Sequence, residues 1–181
     1  GRVLFSPNLH WTARTDLRRL VGDIWNLRVE VVQEERALAL GHLAADPGGV
    51  DYLEADANGA PCLWAVPKGA AQDRVLLSLH GGGCVTGSRF SHRKMFAHIA
   101  KAVGCRALIV DYGRAPEHQH PSQVNEGVKV YEWLLAQGVK PAHIATVGDS
   151  AGGNLCTTVV LGIKARGLAL PAAVMPLSPW Y

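Results

Sequence analysis

The feature that most constrains the fold is an alternation of short apolar runs with helical patterns after residue 74. The apolar runs are nearly continuous, as strands buried on both faces require. They occupy residues 75–79, 107–110, 144–147 and 172–175. Patterns with helical spacing separate them, over residues 95–103, 124–135 and 155–163. Such alternation predicts an α/β fold with a mostly parallel sheet and helices on both faces.

Each predicted strand is followed by a chemically unusual sequence. These sequences are His80-Gly81-Gly82-Gly83, Asp111-Tyr112, Gly148-Asp149-Ser150 and Ser178-Pro179-Trp180. Because parallel strands end at the same edge of a sheet, we expect all four to lie on one side. Ligands of open α/β sheets bind beyond that edge. A functional site is therefore predicted at the carboxyl ends of the strands.

Residues 1–45 carry a different pattern. Apolar residues at helical spacing are Leu17, Leu20, Val21, Ile24 and Trp25. Residues 29–43 are also predicted to be helical, and the Pro-Gly-Gly sequence at 47–49 then interrupts the chain. Asn58-Gly59 indicates a hairpin turn within residues 50–66. We therefore divide the chain into a helical segment over residues 1–45 and an α/β core over residues 46–181.

Composition excludes several classes of protein. The chain has 181 residues, of which 48% are hydrophobic and 18% charged, so it contains enough apolar material for one packed domain. Its formal charge of +3 is spread along the chain, which argues against a nucleic-acid partner. No apolar stretch is long enough for a transmembrane segment.

The four separated cysteines indicate reduced thiols and a cytoplasmic location. Assembly as a homodimer is left open.

The sequence Gly148-Asp149-Ser150-Ala151-Gly152 has the form Gly-x-Ser-x-Gly and lies between a predicted strand and a predicted helix. A serine on such a sharp turn presents its hydroxyl clear of the sheet, so Ser150 is the candidate nucleophile. The crowded backbone requires glycine or another very small residue two positions before and two positions after the serine. Asp149 is interpreted as an orienting residue. A chance Gly/Ser loop is the alternative, which the position between strand and helix disfavours.

The glycine run at 81–83 supplies what such a nucleophile needs. Attack on an ester carbonyl creates an oxyanion, which hydrogen-bond donors must already face. Glycines expose their backbone N–H groups because no Cβ intervenes. We assign the amides of Gly82, Gly83 and Ala151 as the three oxyanion donors.

A dinucleotide-binding unit is the rival interpretation of the glycine run. Its Gly-x-Gly-x-x-Gly pattern, started at Gly81, requires glycine at position 86, where the chain has Thr86. Gly87 lies one place too late. This interpretation also leaves the sequence around Ser150 unexplained, so a nicotinamide-dependent oxidoreductase is disfavoured.

Three blocks together resemble the signatures of the hormone-sensitive-lipase-like α/β-hydrolases. They are His80-Gly81-Gly82-Gly83, Asp111-Tyr112-Gly113-Arg114-Ala115-Pro116-Glu117-His118 and Gly148-Asp149-Ser150-Ala151-Gly152-Gly153-Asn154-Leu155. The resemblance implies an α/β-hydrolase fold, an N-terminal helical cap and a serine esterase or lipase acting on short- to medium-chain acyl esters without a metal or organic cofactor. It gives Ser150 the nucleophile's role, and the glycine block the oxyanion hole.

The chain departs from the family pattern at three positions. Gly113 and Arg114 replace the usual Arg and Leu of the middle block, and Cys84 follows the glycines where an aromatic residue is common. These changes concern substrate preference more than reaction type. We expect Cys84 and Trp180 to line the substrate pocket.

The family order of catalytic residues is serine, then an acid, then histidine. The matching acid and histidine would lie beyond Tyr181, so we expect the chain to be the N-terminal part of a longer hydrolase and inactive alone. His118 and His120 are the histidines on the correct side of the sheet, but the resemblance places His118 in a structural turn. A non-catalytic small-molecule-binding protein on the same scaffold stays open as an alternative.

Overall fold

The computed structural model describes residues 2–5, 28–31 and 46–181, and in these ranges eight strands form one sheet. The strands are β1 (Arg2–Phe5), β2 (Arg28–Val31), β3 (Val50–Ala57), β4 (Ala60–Pro67), β5 (Ala71–Leu79), β6 (Cys105–Val110), β7 (Ile144–Asp149) and β8 (Ala173–Leu177). In the same described ranges, three α-helices follow strands: α1 (Arg93–Val103), α2 (Ser122–Ala136) and α3 (Ala151–Ala165). A short 3-10 helix, Pro141–His143, precedes β7.

The sheet has the order β2-β1-β8-β7-β5-β6-β4-β3. The first six strands in this order, β2-β1-β8-β7-β5-β6, are parallel to their neighbours. The strand β4 is antiparallel to both β6 and β3. The β3–β4 hairpin turns at Asn58 and Gly59, whose φ angles of 57° and 84° are the positive values that a tight two-residue turn needs. The predicted fold class and the predicted hairpin are both confirmed.

Helices cover both faces of the sheet, and each face has its own apolar core. Alternate residues of one strand point to opposite cores: Leu77 of β5 packs with α2 and α3, and Leu76 packs with α1. The side chains from α1 include Met95, Phe96 and Ile99. This two-sided burial explains why the central strands are almost continuously apolar.

The prediction of a helical segment over residues 1–45 is wrong over two short stretches, because Arg2–Phe5 is strand β1 and Arg28–Val31 is strand β2. We expected helix from residue 29 onward, but Arg28–Val31 is strand β2, which pairs with β1 in parallel. The sequence Arg-Val-Glu-Val alternates charged and β-branched residues, a pattern that favours a strand. The other predicted helical positions of residues 1–45 lie outside the described residues. The division of the chain at residue 45 stays a prediction.

The register of the central strands places three strand ends side by side. Leu79 of β5 pairs with Gly148 of β7, and the following Asp149 pairs with Leu177 of β8. The residues that continue from these ends therefore emerge at one edge of the sheet. This register brings the glycine run and the serine turn to the same place.

None of the helices in the described part of the chain has the length and apolarity that a bilayer-spanning segment needs.

A glycine sets the distance between α2 and α3. Gly127 is buried on α2, and a Cβ there would lie 2.4 Å from Cγ2 of Val159 on α3. Gly127→Val should lower the free energy of unfolding by about 1–3 kcal/mol, because the added methyl groups overpack this contact. The measurement is urea-induced unfolding of the purified protein. In the double variant with Val159→Ala, the two effects should be less than additive. Strict additivity would contradict the proposed contact.

Candidate active site

Ser150 lies at the turn between β7 and α3 in a backbone conformation that is unusual for a serine. Its φ is 52° and its ψ is −118°. Positive φ at a residue other than glycine costs about 1–3 kcal/mol and persists only where surrounding contacts enforce it. Those contacts are backbone hydrogen bonds: the Ser150 N–H donates to Leu177 O at 2.9 Å, and its carbonyl accepts from Trp180 N–H at 3.0 Å. The side chain is left exposed.

The two glycines of the serine turn pack directly on the end of β5. A Cβ at Gly152 would lie 2.0 Å from the carbonyl oxygen of Leu79, and a Cβ at Gly148 would lie 2.6 Å from the same atom. A Cβ at Gly148 would also lie 2.2 Å from Gly152 O. Any side chain at either position would push the serine turn away from β5. The expected steric reason for glycine at these positions is therefore present.

The glycine loop, residues 80–83, continues from β5 beside this turn. Gly82 has a φ of 119°, and its carbonyl accepts hydrogen bonds from the N–H groups of Val85 and Thr86. Within residues 46–181, no protein acceptor takes a hydrogen bond from the amides of Gly82, Gly83 or Ala151. Their N–H groups are thus available to a ligand.

His80 anchors the start of the glycine loop in the protein interior. Its side chain is fully buried, its Nδ1 donates to Gly81 O at 2.9 Å, and its ring stacks on Tyr112 with centroids 4.2 Å apart. The Tyr112 hydroxyl donates to His80 O at 2.5 Å. Burial lowers the pKa of the His80 imidazole, which keeps the ring neutral. His80 therefore supports the loop and is unsuited to serve as a general base for Ser150.

Gly87 packs directly against the glycine loop. A Cβ there would lie 2.3 Å from Gly81 O and 2.6 Å from Nδ1 of His80. Arg114 donates from Nη1 to Gly87 O at 2.6 Å and to the Asp111 carboxylate at 3.0 Å. Arg114, one of the departures from the family pattern, thus fastens the end of this turn. Gly87 therefore packs on the backbone of the glycine loop. This packing explains the glycine at position 87 without a dinucleotide-binding motif.

Gly113, the second departure in the middle block, accommodates a histidine. A Cβ at Gly113 would lie 2.5 Å from Cγ of His118, so the imidazole occupies the space of a side chain. Buried Gln123 ties this turn by donating from its amide to the carbonyls of Gly113 and His118. These contacts hold His118 in the turn that follows β6, as the resemblance implied. No hydrogen bond within residues 46–181 joins His118 or His120 to Ser150.

Asp149 connects the serine turn to the glycine loop. Its Oδ1 accepts the Gly81 N–H at 2.9 Å, and its Oδ2 lies 3.4 Å from Nε2 of His92. The sequence indicated an orienting role for Asp149 but gave no signal for a role of His92. No sequence spacing could have paired residue 92 with residue 149, because only the folded sheet brings them together.

A cavity of about 500 Å³ opens beside the serine turn. Its lining residues are Cys84, Ala115, His118, His120, Gln123, Val124, Ala151, Asn154, Leu155, Thr158, Trp180 and Tyr181. Both residues expected at the substrate pocket, Cys84 and Trp180, are in this set. So is Ala151, which directly follows Ser150. Burial raises the pKa of the Cys84 thiol, so this group adds an uncharged, weakly polar surface to the cavity.

Comparison with known proteins identifies the scaffold. A model of the alpha/beta hydrolase fold matches residues 76–181. The chain is 34% identical over 171 residues to an acetyl-hydrolase from Streptomyces hygroscopicus, covering 91% of this chain and 55% of that protein. It is 35% identical over 122 residues to the hormone-sensitive lipase of Homo sapiens, covering 65% of this chain and 11% of the lipase.

A solved structure agrees with these matches. The crystal structure of an esterase from the bacterial hormone-sensitive lipase family superposes with a TM-score of 0.74 at 44% sequence identity, covering 80% of this chain and 48% of that one. The chain therefore spans about half the length of the acetyl-hydrolase and of this esterase. The region matched by the family model includes the glycine loop, the serine turn and the parallel strands that align them. The chain belongs to the α/β-hydrolase fold family, in the group similar to hormone-sensitive lipase.

Proposed function

We propose that the protein is a carboxylic-ester hydrolase that forms an acyl-enzyme on Ser150. The observation that carries this proposal is the exposed Ser150 hydroxyl at a strained turn whose glycines pack on β5 at the start of the glycine loop. Strain of this kind collects at functional sites, where the surrounding fold enforces it. The acetyl-hydrolase, esterase and lipase among its relatives support an ester as the substrate class.

In the proposed reaction, the Ser150 Oγ attacks the ester carbonyl carbon while a general base takes its proton. The carbonyl oxygen becomes an oxyanion, which accepts hydrogen bonds from the amides of Gly82, Gly83 and Ala151. Collapse of this intermediate expels the alcohol, which receives the proton, and leaves the acyl group on Ser150. Water then attacks the acyl-enzyme by the same route and releases the carboxylic acid.

The general base is a separate requirement. A neutral serine hydroxyl is a weak nucleophile without an adjacent base. Within residues 46–181, no histidine ring is hydrogen-bonded to Ser150, and the environment of His80 keeps that imidazole neutral and buried. The proposal therefore assigns the base to a group other than the histidines that this part of the chain places.

The cavity beside Ala151 is the proposed site of the substrate's organic groups. Its volume of about 500 Å³ and its lining by Cys84, Leu155 and Trp180 suit a short- to medium-chain acyl ester. The weakly polar thiol of Cys84 leaves more room than an aromatic side chain would. We expect this position to influence which acyl chains are accepted.

Removal of the nucleophile tests the proposal directly. Ser150→Ala in the full-length protein should reduce hydrolysis of p-nitrophenyl butyrate by at least about 10⁴-fold, because no covalent intermediate can form. Ser122→Ala removes a hydroxyl that donates to Gln119 O and serves as the matched control, with activity close to wild type. Retention of hydrolysis by a folded Ser150→Ala variant would contradict the proposed mechanism.

The glycine loop offers a matched pair of substitutions. A Cβ at Gly82 would lie 2.4 Å from Thr86 O, whereas nothing lies within 4 Å of a Cβ at Gly83. Gly82→Ala should therefore displace the loop and lower kcat by about 100-fold or more, the usual cost of a lost oxyanion donor. Gly83→Ala should cost mainly stability, about 1–2 kcal/mol from its φ of 63°. Equal effects of the two variants on kcat would count against the proposed oxyanion hole.

The pocket assignment predicts a change in chain-length preference. Cys84→Phe should fill part of the cavity and lower kcat/KM for octanoyl esters more than for acetyl esters, because the longer acyl chain needs the lost volume. Cys84→Ser is nearly isosteric and should leave the ratio of the two kcat/KM values unchanged. Steady-state kinetics on an acyl-length series measures this ratio. An unchanged ratio in the Phe variant would show that Cys84 lies outside the acyl site.

A further inference from the structure

We propose that Asp149 is a positioning residue whose carboxylate fixes the glycine loop relative to Ser150. This inference rests on the proposed function, since it concerns the placement of the oxyanion donors. It gives the orienting role of Asp149 a partner, the Gly81 N–H, that the sequence does not reveal. The acid acts through the loop backbone, and it does not touch the reacting atoms.

The first support is the position of one hydrogen bond. Asp149 immediately precedes the nucleophile, and Gly81 immediately precedes the two glycines assigned to the oxyanion hole. The 2.9 Å bond from Gly81 N–H to Asp149 Oδ1 joins these two neighbours. A hydrogen bond to a carboxylate is about twice as strong as a neutral one. The bond therefore joins the serine turn to the glycine loop at the residues that immediately precede Ser150 and Gly82.

The second support is the fit of the carboxylate against Gly81. A Cβ at Gly81 would lie 2.3 Å from Asp149 Oδ2 and 3.0 Å from Asp149 O. The loop can approach this closely only because residue 81 has no side chain. Gly81 does not have positive φ, so its requirement for glycine is one of space. The space that a side chain would need at residue 81 is thus occupied by the Asp149 carboxylate.

The third support is the second carboxylate oxygen. Oδ2 of Asp149 lies 3.4 Å from Nε2 of His92, the residue that immediately precedes α1. The other ring nitrogen of His92 is 2.9 Å from the hydroxyl of Ser91, which orients the imidazole. Asp149 is therefore constrained from two sides, by the glycine loop and by the start of α1. Its side chain is 26% exposed, so water competes with these partners only in part.

The rest of the loop is anchored to other elements. Tyr112 donates to His80 O, and Gly87 packs against Gly81 O and the His80 ring. Among the side-chain hydrogen bonds of residues 46–181, the one from Asp149 links the loop to the serine turn itself. Gly148 and Gly152 set how closely the serine turn approaches the end of β5, and the Asp149 bond fixes the direction in which the glycine loop continues from β5. A displacement of about 1 Å at a catalytic centre can cost about 100-fold in rate.

The test compares Asp149→Ala with Asp149→Asn in the full-length protein. Asp149→Ala should lower kcat by about 10- to 100-fold with little change in KM, because the oxyanion donors act on the transition state. Its affinity for a trifluoromethyl ketone, which forms a tetrahedral adduct on the serine, should fall by the same factor as kcat/KM. Asp149→Asn keeps an oxygen acceptor for Gly81 N–H and should recover most of both losses.

Three outcomes overturn the inference. They are an Asp149→Ala variant with wild-type kcat, equal losses in the Ala and Asn variants, and a change confined to KM. If Asp149→Ala does not fold, His92→Ala serves as the second variant: it should lower kcat relative to wild type with little change in KM, and a wild-type kcat would then overturn the inference. Wild-type protein and Ser150→Ala are measured in parallel. Loss of the proposed function would appear as an inactive wild type, whereas failure of this inference would leave the wild type active.

Discussion

The contact on which the site depends is the packing of two glycines against one carbonyl group. Gly148 and Gly152 flank the serine turn, and neither leaves room for a Cβ beside the carbonyl oxygen of Leu79. This contact joins the end of β7 and the start of α3 to the end of β5. Since the glycine loop begins immediately after Leu79, the same contact sets the separation between Ser150 and the loop's amides. A larger side chain at either glycine would separate the proposed nucleophile, Ser150, from the proposed oxyanion donors.

The energetic cost of this arrangement is distributed over the surrounding fold. Ser150 has an unfavourable φ of 52°, and the buried His80 ring leaves its Nε2 without a hydrogen-bond partner among the described residues. Both are features that a marginally stable protein retains only when other interactions offset them. The offset comes from the two apolar cores on either side of the sheet. The rigid sheet thereby holds a strained turn that would relax in isolation.

Much of the fold could be predicted because its central strands are buried on both faces, which leaves a strong apolar signal. The boundaries were less predictable. β5 begins at Ala71, whereas the sequence predicted a start at residue 75. The apolar pattern misses residues 72–74 because they are polar and exposed, and the pairing with β6 shifts register before Val75. β2 was missed because four residues of alternating pattern lie next to a longer helical pattern. The serine turn and the glycine loop were predictable because each is a contiguous sequence with its own steric logic.

Contacts between distant segments could not be predicted in this way. The bond between Gly81 and Asp149 joins residues 68 positions apart, and His92 approaches Asp149 only because the helix after β5 starts beside β7.

The most direct test of the central claim is a crystal structure of the full-length protein after reaction with a fluorophosphonate. The account predicts a phosphonyl group bonded to the Ser150 Oγ, with its oxygen about 2.7–3.1 Å from the amide nitrogens of Gly82, Gly83 and Ala151. A label on another residue, or a phosphonyl oxygen directed away from these three amides, would contradict it.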